Sequence, residues 1–352
     1  MTALDLLEAT ITELSPLIRD RKLSPVELTQ ACIDQSERLD GTLKAFTTMT
    51  PEYALERARQ AEQEIGSGHY RGPLHGIPYT LKDVIATQGI RTTFGNPRLI
   101  DFKPEESATV QVLLEQAGGV LLGKVYSHIG RGDGPVMCYS PWDPATSPGT
   151  SSSGSGAAVA SGMGLLSMGT DTGGSVRHPA SNCGLVGFKA TFGRISRHGV
   201  WATSWTTDQA GPITKTVEDN AIALETLAVF DPKDPVSINA GRTEYRSIMR
   251  EGIRGLKIGL PTDPWVWKEW IDQDEEDAVR RAVGVLEGMG AEIVEVSIPL
   301  AYGTRGNSLA AETLVWLRDN FSPEVLDEWV ELHPQMALAE NQSFAEYLHS
   351  QH

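Results

Sequence analysis

Three short stretches carry side chains in combinations that suit nucleophilic chemistry. In GTDTGGSVRHPAS, Gly173 and Gly174 precede Ser175. Lacking Cβ atoms, they let successive N–H groups turn toward one point while the hydroxyl stays accessible. An oxyanion site beside a nucleophile needs that arrangement, although Gly-Gly-Ser is also a common turn. Thr150-Ser151-Ser152-Ser153-Gly154-Ser155 opens a helical pattern through 157–162. Hydroxyls ahead of a helix are most simply N-caps. Four serines in five positions exceed what one cap needs, so they are also candidates to relay protons or to hold an anion on their amides. Lys82-Asp83 follows the apolar run IPYTL. A lysine at a buried strand end is costly as a cation. Either it snorkels or pairs with Asp83, or desolvation frees its neutral amine to act as a base. His75, His128, His178 and His198 keep a Ser-His-Asp arrangement open. The lack of G-x-S-x-G around Ser175 disfavours an α/β-hydrolase elbow. No G-x-G-x-x-G joins a strand to a helix and no G-x-x-x-x-G-K-[ST] occurs, which disfavours a dinucleotide fingerprint and excludes a P-loop.

Holding such groups takes a rigid frame, and the patterning supplies one. The first 70 residues read as helical. Ser24 is an N-cap followed by Pro25 at the first helical position, with Glu27 three residues on. PEYALERARQAEQEI, from Pro51 to Ile65, ends at Gly66, a C-cap candidate. Ile77–Leu81 and Gly119–Leu122 are short apolar runs expected as buried strands, with a helix over Glu105–Ala117 between them. That alternation predicts an α/β fold with a largely parallel sheet. From Pro148 to Gly199 the chain is rich in Gly, Ser and Ala with Val, Leu, Phe and Met interleaved, which reads as backbone packed closely in a core and not as a linker. Leu256–Pro261 and Glu292–Ser297 read as strands flanking a helix over Glu275–Met289. The acidic run ahead of that helix suits its N-terminus better than a metal. Residues from Leu309 onward are helical in pattern. Trp265, Trp267 and Trp270 read as core or interface, and Arg131-Gly132-Asp133 carries no meaning here.

Composition narrows the class. The chain has 352 residues, 30 Lys+Arg against 46 Asp+Glu, a net charge of −16 and 40% hydrophobic residues. These are globular values. The acidity argues against nucleic acid or an anionic membrane as partner. No apolar run reaches the length of a membrane span, and the N-terminus lacks the basic region of a secretory signal. Three cysteines make neither a disulfide framework nor a metal set, so a cytoplasmic location is expected.

Taken together, GPLHGIPYTLKDV, SPGTSSSGSGAAVASG, GTDTGGSVRHPASNCGLVGFKATFGRIS and DQAGPITKTVEDNA resemble the amidase signature family of serine hydrolases in order and spacing, from the first helices to about residue 300. The resemblance implies an α/β/α sandwich with a mixed, mostly parallel central sheet covered by helices on both faces. It implies a helical segment over 1–70 packing on a core over 71–352, effectively one domain. It implies catalysis by Lys82, Ser151 on a cis peptide, and Ser175 as nucleophile, with the backbone amides of Thr172, Gly173, Gly174 and Ser175 as oxyanion hole. No metal or organic cofactor is implied. Substrate contacts are expected from Ser127, His128, Arg177, Trp201 and Trp205, with a structural role favoured for Arg177. The expected partner is a small amide, with no nucleic acid and no membrane, and a homodimer is allowed for.

The sequence also departs from the family. Thr150 and Ser153 stand where glycines are usual, Ile129-Gly130 replace the usual residues of the acyl-pocket stretch, and Trp201 and Trp205 precede Asp208-Gln209 where smaller residues are frequent. Members of the family continue well past the equivalent of His352, so the resemblance implies a chain short at that end. The leading expectation is a stand-alone amidase acting on a small carboxamide through an acyl-enzyme. The alternatives are the glutamine-hydrolysing subunit of a tRNA-dependent amidotransferase, and a non-catalytic binding protein on the same fold.

Overall fold

The computed structural model describes residues 2–95, 99–127, 138–201, 204–263, 271–298, 308–320 and 322–332, with 343 and 347. His128 to Asp133 and the three tryptophans at 265, 267 and 270 lie outside the described residues. Two compact units divide the chain, one formed by 1–243 with 307–343 and the other by 244–306 with 344–352.

Helices α1 (Ala3–Glu8), α2 (Ile11–Arg19), α3 (Pro25–Leu43) and α4 (Pro51–Gly66) dominate the start of the first unit. Ser24 caps α3 as expected, its hydroxyl accepting from the N–H groups of Val26 and Glu27. Gly66 belongs to the last turn of α4, and Ser67 follows as its cap. Within the stretch expected to be helical, Phe46–Met49 forms strand β1. Its two threonines and phenylalanine suit a pleated edge better than a helix.

Five further strands complete a six-stranded sheet, β2 (Pro78–Lys82), β3 (Val120–Val125), β4 (Leu166–Asp171), β5 (Val186–Gly187) and β6 (Gln209–Thr214), in the order β1-β3-β2-β4-β6-β5. The centre, β3-β2-β4, is parallel, and the outer pairings are antiparallel. The fold is thus a mixed α/β sheet with its parallel part in the core. Helix α5 (Thr109–Gln116) precedes β3, a shorter span than the expected Glu105–Ala117.

Strand β2 is buried along its whole length, as a parallel strand covered on both faces must be. Val120 and Leu122 of β3 pack with Ala31 and Cys32 of α3 and Ala54 and Ala58 of α4. Val125, at the strand's end, packs with Ala157 and Ala158 of α6 (Ser153–Ala160). Small residues make this approach possible. A Cβ on Gly154 would lie 2.4 Å from the Tyr126 nitrogen, and one on Gly169 would lie 2.7 Å from Ser152 Oγ. Helix α7 (Arg177–Cys183) and helix α8 (Val217–Leu227) follow β4 and β6.

The second unit contains helix α9 (Tyr245–Ile248) and strand β7 (Lys257–Pro261). Helix α10 (Gln273–Gly288) leads on to β8 (Glu292–Val296), which pairs with β7 in parallel. Asp272 caps α10 through its side chain, so the acidic run is a helix N-terminus. Returning to the first unit, α11 (Ser308–Asn320) and α12 (Pro323–Leu332) bear out the helical pattern as far as residue 332. Among the described residues no helix is long and apolar enough to cross a membrane.

Candidate active site

The carboxyl ends of the central parallel strands bring the chemistry-bearing residues together. Lys82 ends β2 and is 1% exposed. Its ammonium donates to Ser151 Oγ at 2.6 Å and to Thr170 Oγ1 of β4 at 2.8 Å. Burial pushes Lys82 down to about 7, against the pull of Asp208 and Asp171, which favour its charged form. A substantial neutral fraction is therefore available near neutral pH. Asp83 is not its partner. It faces Lys124 at 3.6 Å and accepts from the Thr93 N–H at 3.1 Å. The Lys124 ammonium also donates to the Ile85 carbonyl at 2.6 Å and to Thr92 Oγ1 at 2.9 Å.

Ser151 follows a cis peptide bond from Thr150. The other serines of its cluster are not side-chain caps of α6. Ser152 bridges to β4, donating its hydroxyl to the Thr170 carbonyl at 3.2 Å and accepting from the Thr170 N–H at 3.3 Å. Its own N–H donates to the Ser175 carbonyl at 3.3 Å. The two candidate reactive serines thus sit on backbone segments that are tied to each other. Among the described residues no hydrogen bond joins Ser151 Oγ to Ser175 Oγ. Such contacts commonly tighten only when substrate is bound.

The turn carrying Ser175 is organised by a residue the sequence reading missed. Asp171, the fully buried last residue of β4, accepts from the N–H groups of Gly174 at 2.8 Å and Val176 at 3.2 Å. Arg177 forks onto it through Nε at 3.0 Å and Nη2 at 3.1 Å, and Lys189 lies 3.3 Å away. Burial works to raise the Asp171 pKa. The Arg177 guanidinium, the two amides and Lys189 outweigh it and hold the group down to about 2. Arg177 is engaged with this carboxylate. The Gly174 amide is also spent on Asp171, which leaves Thr172, Gly173 and Ser175 of the four expected oxyanion donors. An acid three residues ahead of the second glycine was the available signal, because Asp side chains bond the backbone of their own turn.

A second carboxylate steadies the front of this turn. Asp208 takes the Thr172 hydroxyl and the Ser204 N–H, the latter at 2.8 Å. Lys189 donates to the Thr172 carbonyl at 2.7 Å. A cavity of ≈ 260 Å³ adjoins, lined by Thr170, Arg197, Trp201, Trp205, Asp208 and Gln209 among others. Trp201 is buried against Phe94, with ring centroids 3.9 Å apart, while Trp205 is 38% exposed. Both expected tryptophans therefore border a space that reaches Thr170, a partner of Lys82. Ser127 is buried and its hydroxyl has no partner among the described residues. Of the described histidines, His75 lies 3.2 Å from Glu64 and His198 lies 3.9 Å from Glu106, while the His178 ring accepts from the Thr150 N–H at 3.5 Å. None is hydrogen-bonded to Ser175, so a Ser-His-Asp arrangement is not assembled among the described residues.

Comparison with known proteins agrees with this arrangement. A family model described as Amidase matches residues 27–304. The chain is 40% identical over 304 residues to a Geobacter protein named as the A-subunit of glutamyl-tRNA(Gln) amidotransferase, covering 84% of this chain and 62% of that protein. It thus spans less than two thirds of the curated relatives it matches. Among solved structures, native peptide amidase from Stenotrophomonas maltophilia superposes with a TM-score of 0.86 at 28% identity, covering 97% of this chain and 78% of the other. The A-subunit of the Thermotoga maritima glutamyl-tRNA(Gln) amidotransferase gives 0.76 at 30% identity, covering 98% and 73%. These relatives correct the expected partner set of a small amide alone, with nucleic acid excluded and at most a homodimer. Proteins 40% identical to this chain are named as one subunit of an enzyme defined by a tRNA. Whole-chain acidity misled because net charge describes the field of this chain's own surface, and one member of a complex can serve a tRNA-linked reaction without itself presenting a basic face.

Proposed function

The chain belongs to the Amidase family, and from that premise we propose that it is the glutamine-hydrolysing subunit of a tRNA-dependent amidotransferase, cleaving the carboxamide C–N bond through Lys82, Ser151 and Ser175. The observation that carries the chemistry is the 2.6 Å bond from Lys82 Nζ to Ser151 Oγ. The 40% identity to amidotransferase A-subunits favours glutamine over other amides.

In this reading, neutral Lys82 takes a proton from Ser151, which takes one from Ser175 as Ser175 Oγ attacks the carboxamide carbon. The oxyanion that forms is met by the amides of Thr172, Gly173 and Ser175, and loss of one such donor costs about 3 kcal/mol. The proton returns through Ser151 to the departing nitrogen, ammonia leaves, and an acyl ester remains on Ser175. Water, deprotonated along the same path, then releases the acid.

A second reading, a stand-alone amidase on a small carboxamide, is favoured by the tryptophan-walled cavity and by the TM-score of 0.86 to a peptide amidase. Ammonia release separates the two. Glutamine and a panel of carboxamides are supplied to the chain alone and with the remaining subunits of a glutamyl-tRNA(Gln) amidotransferase. Glutamine turnover that requires Ser175 and rises with the added subunits supports the first reading. Turnover of other carboxamides by the chain alone, with glutamine untouched, supports the second. A fluorophosphonate adduct at any residue other than Ser175 overturns both.

A further inference from the structure

Helix α11 begins just beyond the residues matched by the family model, yet one of its side chains is built into the site. Glu312 is 4% exposed. Its carboxylate accepts the Ser204 hydroxyl at 2.7 Å, the Thr206 N–H at 3.2 Å and the Thr206 hydroxyl at 2.8 Å. The segment 204–208 that it grips is a single turn. Ser204 donates its N–H to the Asp208 carboxylate at 2.8 Å, and the Asp208 N–H returns to the Ser204 carbonyl at 3.0 Å. Asp208 then takes the hydroxyl of Thr172, the first residue of the Gly-Gly-Ser turn.

We propose that Glu312 is a positioning residue: by fixing the turn at Ser204 and Thr206 it seats Asp208, and through Asp208 it seats Thr172 at the head of the nucleophile's turn. The physical case rests on directionality. A buried carboxylate is tolerated only when its oxygens are met by donors, and three donors from two neighbouring residues define its position closely. Charge-assisted bonds of this kind are stronger than neutral ones. Asp208 in turn has one oxygen for the Ser204 amide and the other for Thr172, so displacement of Ser204 displaces Thr172. The inference rests on the proposed serine chemistry, but not on which amide is cut.

The test uses the whole chain and a fluorophosphonate, read both as the fraction of Ser175 labelled at saturation and as the rate constant of labelling. Glu312→Gln keeps the shape but places an NH2 group against a donor. Labelling to the full extent with a rate constant lowered about 10- to 100-fold is expected. Ser204→Ala combined with Thr206→Val removes two of the three donors and should reproduce most of the loss, and adding Glu312→Gln to that pair should cost less than Glu312→Gln costs alone, since the three act through one shared contact. A purely structural glutamate would lower the labelled fraction and leave the rate constant of the folded part unchanged, and that result overturns the proposal. So does full additivity of the triple variant. No labelling of Ser175 in the unaltered chain overturns the serine reading itself, a distinct failure.

Discussion

Lys82 is the residue on which the proposed chemistry turns, because two demands meet in one ammonium. It must be buried to lose its proton near neutral pH, and it must keep hydrogen-bond partners to be tolerated there. Ser151 and Thr170 meet the second demand with oxygens that bear no charge, so they leave the first intact. With the group held near 7, activity should rise with pH through about 7 and fall roughly tenfold per unit below it, measured as kcat/KM against pH. An acid limb near 10 would refute neutral Lys82 as the base. Stability carries the opposite face of the same shift. Between about 7 and the ordinary value of 10.5 the unfolded chain binds the extra proton, so the cost of burying Lys82 is full below 7 and fades as the pH rises to 10.5. Lys82→Met should raise stability at pH 7 while lowering the rate of Ser175 labelling by about a thousandfold or more. Strand geometry also explains why Asp83 and Lys82 find different partners. Successive side chains point to opposite faces, so Lys82 reaches Ser151 while Asp83 reaches Lys124.

Close approach of backbones sets the geometry at the scale of elements. Helix α6 lies against the end of β3 only because position 154 has no side chain. A methyl there would meet the Tyr126 nitrogen at 2.4 Å and the Ala45 oxygen at 2.6 Å, both backbone atoms that cannot swing aside. At Gly173, by contrast, a methyl would meet nothing within 4 Å, and its φ lies outside the glycine-favouring region. Gly154→Ala should therefore cost about 1–3 kcal/mol, read as a fall of several degrees in Tm. Gly173→Ala should leave Tm unmoved and change only turnover. Equal losses in both would contradict this account. The sequence made parts of this frame legible and hid others, for a reason visible in these elements. Helix α3 announces itself through Ser24 and Pro25, and β2 through an unbroken apolar run ending in lysine, since those signals are local. The hold of Lys189 on Asp171 is not local. It forms only when β4 and the loop after β5 meet, and no pattern within either segment states it. Strand β1 escaped for a related cause. Four residues between two strong helices carry too short a period to register, and their pairing with β3 is decided by the tertiary fold.

The order of the chain and the grouping of its elements differ at the scale of the whole molecule. The first unit closes on itself only when the segment 307–343 returns to it, after 244–306 has formed the second unit. Residues 238–242 between α8 and α9 have no regular structure and are exposed, and Arg242 stands among them. Exposed irregular backbone is where proteases act first, so trypsin should nick the chain after Arg242 before it attacks the sheet. The two pieces should then stay together under native conditions. Helix α11 holds the later piece to the earlier one through Glu312 on Ser204 and Thr206, and its Leu314 and Leu317 are 2% and 0% exposed. Covering two leucines and a bonded carboxylate contributes several kcal/mol, and the tether formed by the fold replaces the broken peptide. Size-exclusion chromatography of the nicked protein, followed by denaturing electrophoresis, reads the outcome directly. One peak containing both pieces, still labelled at Ser175 by a fluorophosphonate, is expected. Two peaks without denaturant would mean that α11 does not belong to the body of the first unit, and the site would then have to be explained without it.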